Sequence, residues 1–126
     1  MDDARRSDCP ISYALDIVGD RWSVLVIRDI ALYGKTGFTD FLGSDEGIAE
    51  SVLARRLRDL ERNGLIGSSR PDADGRRKHY HLTRVGQDLL PVLVALARWG
   101  ADHDPESTAD PAVFERAAAL IRSLGD

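Results

Sequence analysis

Within the stretch Ile48 to Asn63, IAESVLARRLRDLERN, the residues Ser51, Arg55, Arg58 and Arg62 follow one another at steps of four, three and four. At about 100° per residue they share one side of a helix, and Leu53, Leu57 and Leu60 share the other. A helix built this way buries leucine and presents guanidinium groups. Each guanidinium carries a fixed charge and a planar fork of donors suited to phosphates and base edges. A helix made basic only for solubility tends to interleave acids at i,i+4, whereas Asp59 and Glu61 fall on the flanks of the basic line. A second cationic group, Arg70, Arg76, Arg77 and Lys78, lies just downstream. Helix and downstream group together offer two phosphate-binding devices, the chemistry of double-stranded DNA recognition.

Other chemistry finds less support. No Ser-His-Asp ordering, paired-carboxylate motif or glycine-rich phosphate loop stands out, so an enzyme is not expected. His79 and His81 share a strand face, but the remaining histidine, His103, lies far along the chain, and a metal site needs three or four ligands. No metal and no cofactor are expected. Cys9 is the single cysteine and directly precedes Pro10 at a helix start. There it is either a small hydrophobe anchoring the helix or, because helix N-termini favour the nucleophilic form of a thiol, a reactive group.

The elements that must position these residues can be read in order. Pro10 suits a first helical turn, and Ile11, Ala14, Leu15 and Val18 recur at helical spacing up to Gly19. Asp20 can cap a second helix, apolar on nearly every side from Trp22 to Leu32 and therefore expected at the centre of the domain. Phe38 is an anchor that could supply a short strand, and Thr39 is expected to cap a brief helix holding Phe41 and Leu42. The turn GSDEG, residues 43–47, then leads into the arginine-bearing helix. Two helices joined by a short glycine-containing turn make a helix-turn-helix unit. After Gly64, LIGSSR (65–70) and KHYHLT (78–83) can pair as antiparallel strands around PDADGRR, with Asp74-Gly75 at the turn. The expected fold is mainly α with a small antiparallel β-hairpin wing: a winged helix-turn-helix.

Composition agrees with one such domain. The chain has 126 residues, 43% of them hydrophobic, enough for a single core. No stretch reaches the roughly 20 apolar residues that cross a bilayer, and the start MDDARRSD has no signal-like apolar core, so a cytoplasmic protein without a membrane partner is expected. The net charge of −4 would discourage a polyanionic partner were it evenly spread. It is not: residues 1–49 carry −4, residues 50–80 carry +3, residues 81–100 carry +1 and residues 101–126 carry −4. Net positive charge is confined to one contiguous piece of sequence that includes the basic helix and the hairpin.

These features resemble one family. The words CPISYALDIVGDRWSVLVIRDI, FTDF, GIAESVLARRLRDLERNGLI and YHLTRVGQDLLPVLVALARWG look like those of HxlR-type transcriptional regulators, relatives of the MarR-type winged-helix proteins. The resemblance covers Cys9 to about Gly100. It implies a homodimeric DNA-binding regulator with the helix from Ile48 in the major groove and the hairpin as wing. It also implies a candidate redox or electrophile sensor at Cys9, because some members use a cysteine in this motif so. Where the family often has Ser-Pro after the Gly-Ile that opens the recognition helix, this chain has Ala49-Glu50, and Asp45 and Glu46 add acid to the turn. Lys78-His79 replaces a common apolar-acid pair.

Thr83 is expected to cap one long helix, bent at Pro91, in which Val85, Leu89, Val92, Leu96 and Trp99 form the seam of a helix pair. Leu90, Leu93, Val94 and Ala97 make the other side apolar, so one side faces the body and the other a second subunit. Residues 1–100 would then form the DNA-binding domain with its dimerisation helix at about 83–100. Residues 101–126 would form an acidic linker and an amphipathic helix bearing Val113, Phe114, Ala117, Leu120, Ile121 and Leu124. The expected function is a sequence-specific transcriptional regulator acting as a homodimer on a twofold-related operator, open to a small-molecule or electrophile effector. The alternative is a winged-helix module that binds another protein and not DNA.

Overall fold

The computed structural model describes residues 7–70 and 77–106, together with Arg116, Ala119, Arg122 and Ser123. Helix α1 (Pro10–Val18) opens on its proline, whose absent N–H has no partner to lose in a first turn. Only its last turn reaches the core, through Ile17 and Val18. Helix α2 (Ser23–Tyr33) buries Val26 and Ile27, in agreement with its central place. Asp20 organises its start from outside the helix: one carboxylate oxygen accepts from the N–H groups of Trp22 (2.8 Å) and Ser23 (3.0 Å), and the other from the Ser23 hydroxyl. The buried Asp29 on this helix, 3% exposed, stands against the expectation of an apolar circumference. The Arg28 guanidinium, 2.8 Å away, satisfies it.

Helix α3 (Phe38–Leu42) begins earlier than the sequence suggests. Thr39 is exposed inside the helix and does not cap it. Asp40 reaches back instead, accepting from the N–H groups of Gly37 (3.0 Å) and Thr36 (3.3 Å), because a carboxylate at the third helical position is a stronger acceptor for these orphan donors than a hydroxyl. Phe38 lies in the helix and not in a strand. The extended chain before it still contacts the hairpin, where the Thr36 carbonyl accepts from Tyr80 N–H at 2.8 Å.

Helix α4 (Glu50–Arg62) buries Leu53, Leu57 and Leu60 as its periodicity predicts. It ends in a Schellman arrangement: Gly64 takes φ +82, Leu65 N–H donates to the Leu60 carbonyl and Gly64 N–H to that of Glu61. Strands β1 (Ile66–Ser69) and β2 (His79–Leu82) pair antiparallel, with Ile66 opposite Leu82 and Ser68 opposite Tyr80. Ile66 and Tyr80 close the core from this side. The turn at Asp74-Gly75 and the position of Arg76 lie outside the described residues.

Thr83 caps as expected, its hydroxyl oxygen accepting from Gly86 N–H at 3.2 Å. Beyond it the chain forms two helices and not one bent helix: α5 (Arg84–Gln87) and α6 (Leu90–His103). Pro91 has no N–H to extend α5 and sits in the first turn of α6, where none is required. Leu90, Leu93 and Val94 of α6 join the buried set, and the helix runs to His103, past the Gly100 boundary read from the sequence. The expected helix residues Val113, Phe114, Ala117, Leu120, Ile121 and Leu124 lie outside the described residues. The Arg116 guanidinium lies 5.5 Å from the centre of the Tyr33 ring, beside α2. Among the described residues no helix is long and apolar enough to cross a membrane.

Candidate nucleic-acid interface

Burying three leucines forces the opposite face of α4 outward, and Ser51, Arg55, Arg58 and Arg62 are all exposed there. Arg55 and Arg58 pair with no acid among the described residues. Arg62 is held by Asp59 at 2.7 Å. Arg56, off this face, is tied into the body by Asp20 (3.4 Å) and Asp59 (2.8 Å). Partial burial pushes the Asp20 carboxyl up, but the hydrogen bonds from Ser23 and Trp22 and the charge of Arg56 outweigh it and hold it below its ordinary range.

At its N-terminus α4 has Ala49 as cap residue, with no side-chain acceptor, as the sequence departure implies. Glu46, which adds acid to the preceding turn, is turned inward: Arg28 binds it at 3.1 Å and Arg21 lies at 3.9 Å. Burial alone would lower the Arg28 pKa, but hydrogen bonds to Asp29 and Glu46 raise it, so this clamp stays charged. One of the two turn acids is therefore compensated.

In the hairpin, Arg70 and Arg77 are exposed and line, with Phe38, Thr39 and Tyr80, a cleft of about 420 Å³ between α3 and the strands. The Asp40 carboxylate at its rim is held low by the N–H groups of Gly37 and Thr36. Lys78 departs from its expected outward position. Its ammonium lies 3.6 Å from Glu61 and 5.7 Å from the Tyr80 ring centre, folded back toward α4 because an acid and an aromatic face are both within reach. Glu61 also accepts from the Ser68 hydroxyl at 2.7 Å, so this one carboxylate joins the basic helix to the hairpin. Sequence reasoning misses that role, since Glu61 and its partners are not at a common periodicity.

The two hairpin histidines have different surroundings. His79 Nδ1 lies 3.2 Å from the Thr36 hydroxyl, and His81 packs over Gly67, where a side chain would collide with its ring. Among the described residues no three His, Cys, Asp or Glu side chains are grouped to hold a metal. Cys9 is exposed at the residue that caps α1.

On α5 and α6, Val85, Val92, Leu96 and Trp99 are exposed, Trp99 by 66%. Leu89 is not with them: the break between the helices rotates it toward the core. The sequence reading also misses Ile11, Tyr13 and Leu15 of α1, which leave a second apolar surface in solvent. Their helical spacing signals an apolar face but not whether the same chain covers it.

Over residues 17–108 this chain matches the HxlR-like helix-turn-helix family. It belongs to that family. An uncharacterized HTH-type transcriptional regulator of Mycobacterium tuberculosis is 35% identical over 101 residues, which cover 80% of this chain and 63% of that protein. The chain thus spans under two thirds of that relative's length. Among solved structures, PA1607, described as a candidate transcription factor, superposes with a TM-score of 0.73 at 37% identity, over 83% of this chain and 73% of that one. The redox regulator HypR in its reduced form gives 0.67 at 26% identity, over 77% and 95%. Helices α3 and α4 and the β1–β2 hairpin all lie within the matched residues.

Proposed function

We propose that this protein is a sequence-specific DNA-binding regulator of transcription that acts as a homodimer. Helix α4 enters the major groove with Ser51, Arg55, Arg58 and Arg62, and the wing lays Arg70, Arg76 and Arg77 on the adjacent backbone or minor groove. The observation that carries this is the exposure of Arg55 and Arg58 on α4, paired with no acid among the described residues, beside a hairpin that exposes Arg70 and Arg77. Lys78 contributes less than its neighbours, since Glu61 already engages it. The protein is a binder and not an enzyme, and it works without a resident cofactor.

The second subunit covers Val85, Val92, Leu96 and Trp99, together with the exposed apolar residues of α1. A twofold dimer places its recognition helices in successive major grooves, about 34 Å apart, and so selects a twofold-related operator. Cys9 serves as a redox or electrophile sensor; its exposure at a helix start and the likeness to HypR support that role.

Affinity for random and selected duplexes, measured as salt rises, tests the reading. Wild-type affinity falls steeply for both, Arg55→Ala weakens the selected duplex more than the random one, and Arg77→Ala weakens both alike. A binding constant indifferent to salt would favour the protein-interaction module instead.

A further inference from the structure

Arg62 is 72% exposed on the presented face of α4, yet its guanidinium does not stand alone. One Asp59 oxygen holds it at 2.7 Å while the other holds Arg56 at 2.8 Å. Arg56 continues inward to Asp20 at 3.4 Å, and Asp20 accepts from the first N–H groups of α2. A chain of alternating charges thus runs from the start of one helix, across the domain, to a side chain facing outward. Surface ion pairs contribute little stability, so retention of Arg62 by Asp59 has its main consequence elsewhere.

Two general effects bear on this arrangement. A long cationic side chain loses rotamer freedom when it docks, and one already held by a neighbour loses less. The same carboxylate cancels much of its charge at a distance, and distant charge is what draws a protein to DNA of any sequence. We propose that Asp59 is a positioning and specificity-determining residue. It aims Arg62 for contact within the selected site and suppresses its pull on other DNA, with Arg56 and Asp20 steadying Asp59 from behind. This rests on the DNA-binding reading above and adds to it that an acid on the basic helix sharpens discrimination.

The experiment uses the full chain, a duplex enriched from a randomised pool, and a random duplex. With Asp59→Asn, affinity for random DNA rises by about threefold to fivefold, the scale of one exposed charge. Affinity for the selected duplex does not rise with it, so the ratio of the two falls. The slope of log affinity against log salt on random DNA steepens by about 0.9, one further phosphate contact. In an Arg62→Ala background the same substitution leaves ratio and slope unchanged, because the effect passes through Arg62. Arg56→Gln moves the ratio in the direction of Asp59→Asn, by less. A purely structural role would instead lower both affinities in parallel and track the melting temperature; that result, or an Asp59→Asn effect that persists without Arg62, overturns the proposal. Wild-type protein that fails to bind either duplex in a salt-dependent way defeats the DNA-binding reading itself, and the proposal with it. A wild type that binds while Asp59→Asn alters neither ratio nor slope defeats the proposal alone.

Discussion

Asp20 shows how much one carboxylate can do at a junction. It caps α2 from outside the helix, bonds the Ser23 hydroxyl and faces Arg56. Its folded pKa lies below the ordinary 3.8. A carboxyl depressed on folding stabilises the fold above its unfolded pKa, and that stability is lost as pH falls through the lower, folded value. Asp40 is depressed in the same sense, first by Gly37 N–H and then by Thr36 N–H. Asp20→Ala should therefore cost about 1 kcal/mol near pH 7, the scale of a lost helix cap. The gap from wild type should narrow as pH drops below about 4. Thermal melts of the two proteins across that range check it; a gap that stays constant would assign the loss to packing. Asp20 as a cap is legible in the sequence because caps are local. Its bond to Arg56, thirty-six positions away, is not, since only the tertiary fold brings them together.

At the scale of elements, legibility follows periodicity. Helix α4 is predicted almost in full because Leu53, Leu57 and Leu60 repeat with its turn and Gly64 supplies a left-handed end. The pairing of β1 with β2 is equally readable from their two short strand-like runs. Starts and breaks are harder. Helix α3 is capped by Asp40 and not Thr39, a competition between nearby acceptors that spacing does not decide. The separation of α5 from α6 depends on where Pro91 falls in a turn, and it moves Leu89 from the expected seam to the core side. Gly86 fixes α5 against the base of the hairpin: a Cβ there would run into the Leu65 carbonyl oxygen, a backbone atom that cannot rotate away. Gly86→Ala should destabilise the fold by roughly 1–3 kcal/mol, the range for overpacking. Denaturant unfolding measures it, and a loss below half a kcal/mol would mean that α5 shifts freely.

At the scale of the whole molecule, charge and apolarity are sorted. The cations of α4 and the hairpin occupy one stretch of chain, whereas the large exposed apolar residues among those described lie, Tyr33 of α2 apart, on α1, α5 and α6. The proposed assembly uses each set for a different partner, DNA for the first and a second copy of the chain for the second. Leu96→Asp places a charge on the open face of α6, outside the core, so it should leave the monomer folded while shifting the mass in solution from dimer toward monomer. Light scattering across a concentration series reads this. A wild-type protein that remains monomeric at every concentration would remove the second copy from the account. The apolar face of α6 is evident in the sequence; the matching exposure of α1 is not, because a helical repeat looks the same whether its own chain or another covers it.

Hydroxyl-radical footprinting on a duplex enriched from a randomised pool puts helix, wing and dimer to one test. Two protected segments should appear, related by a dyad, with centres about one helical turn, some 34 Å, apart. Arg55→Ala should erase both together. A single protected segment without a dyad, or a protection pattern that survives Arg55→Ala intact, would contradict the account.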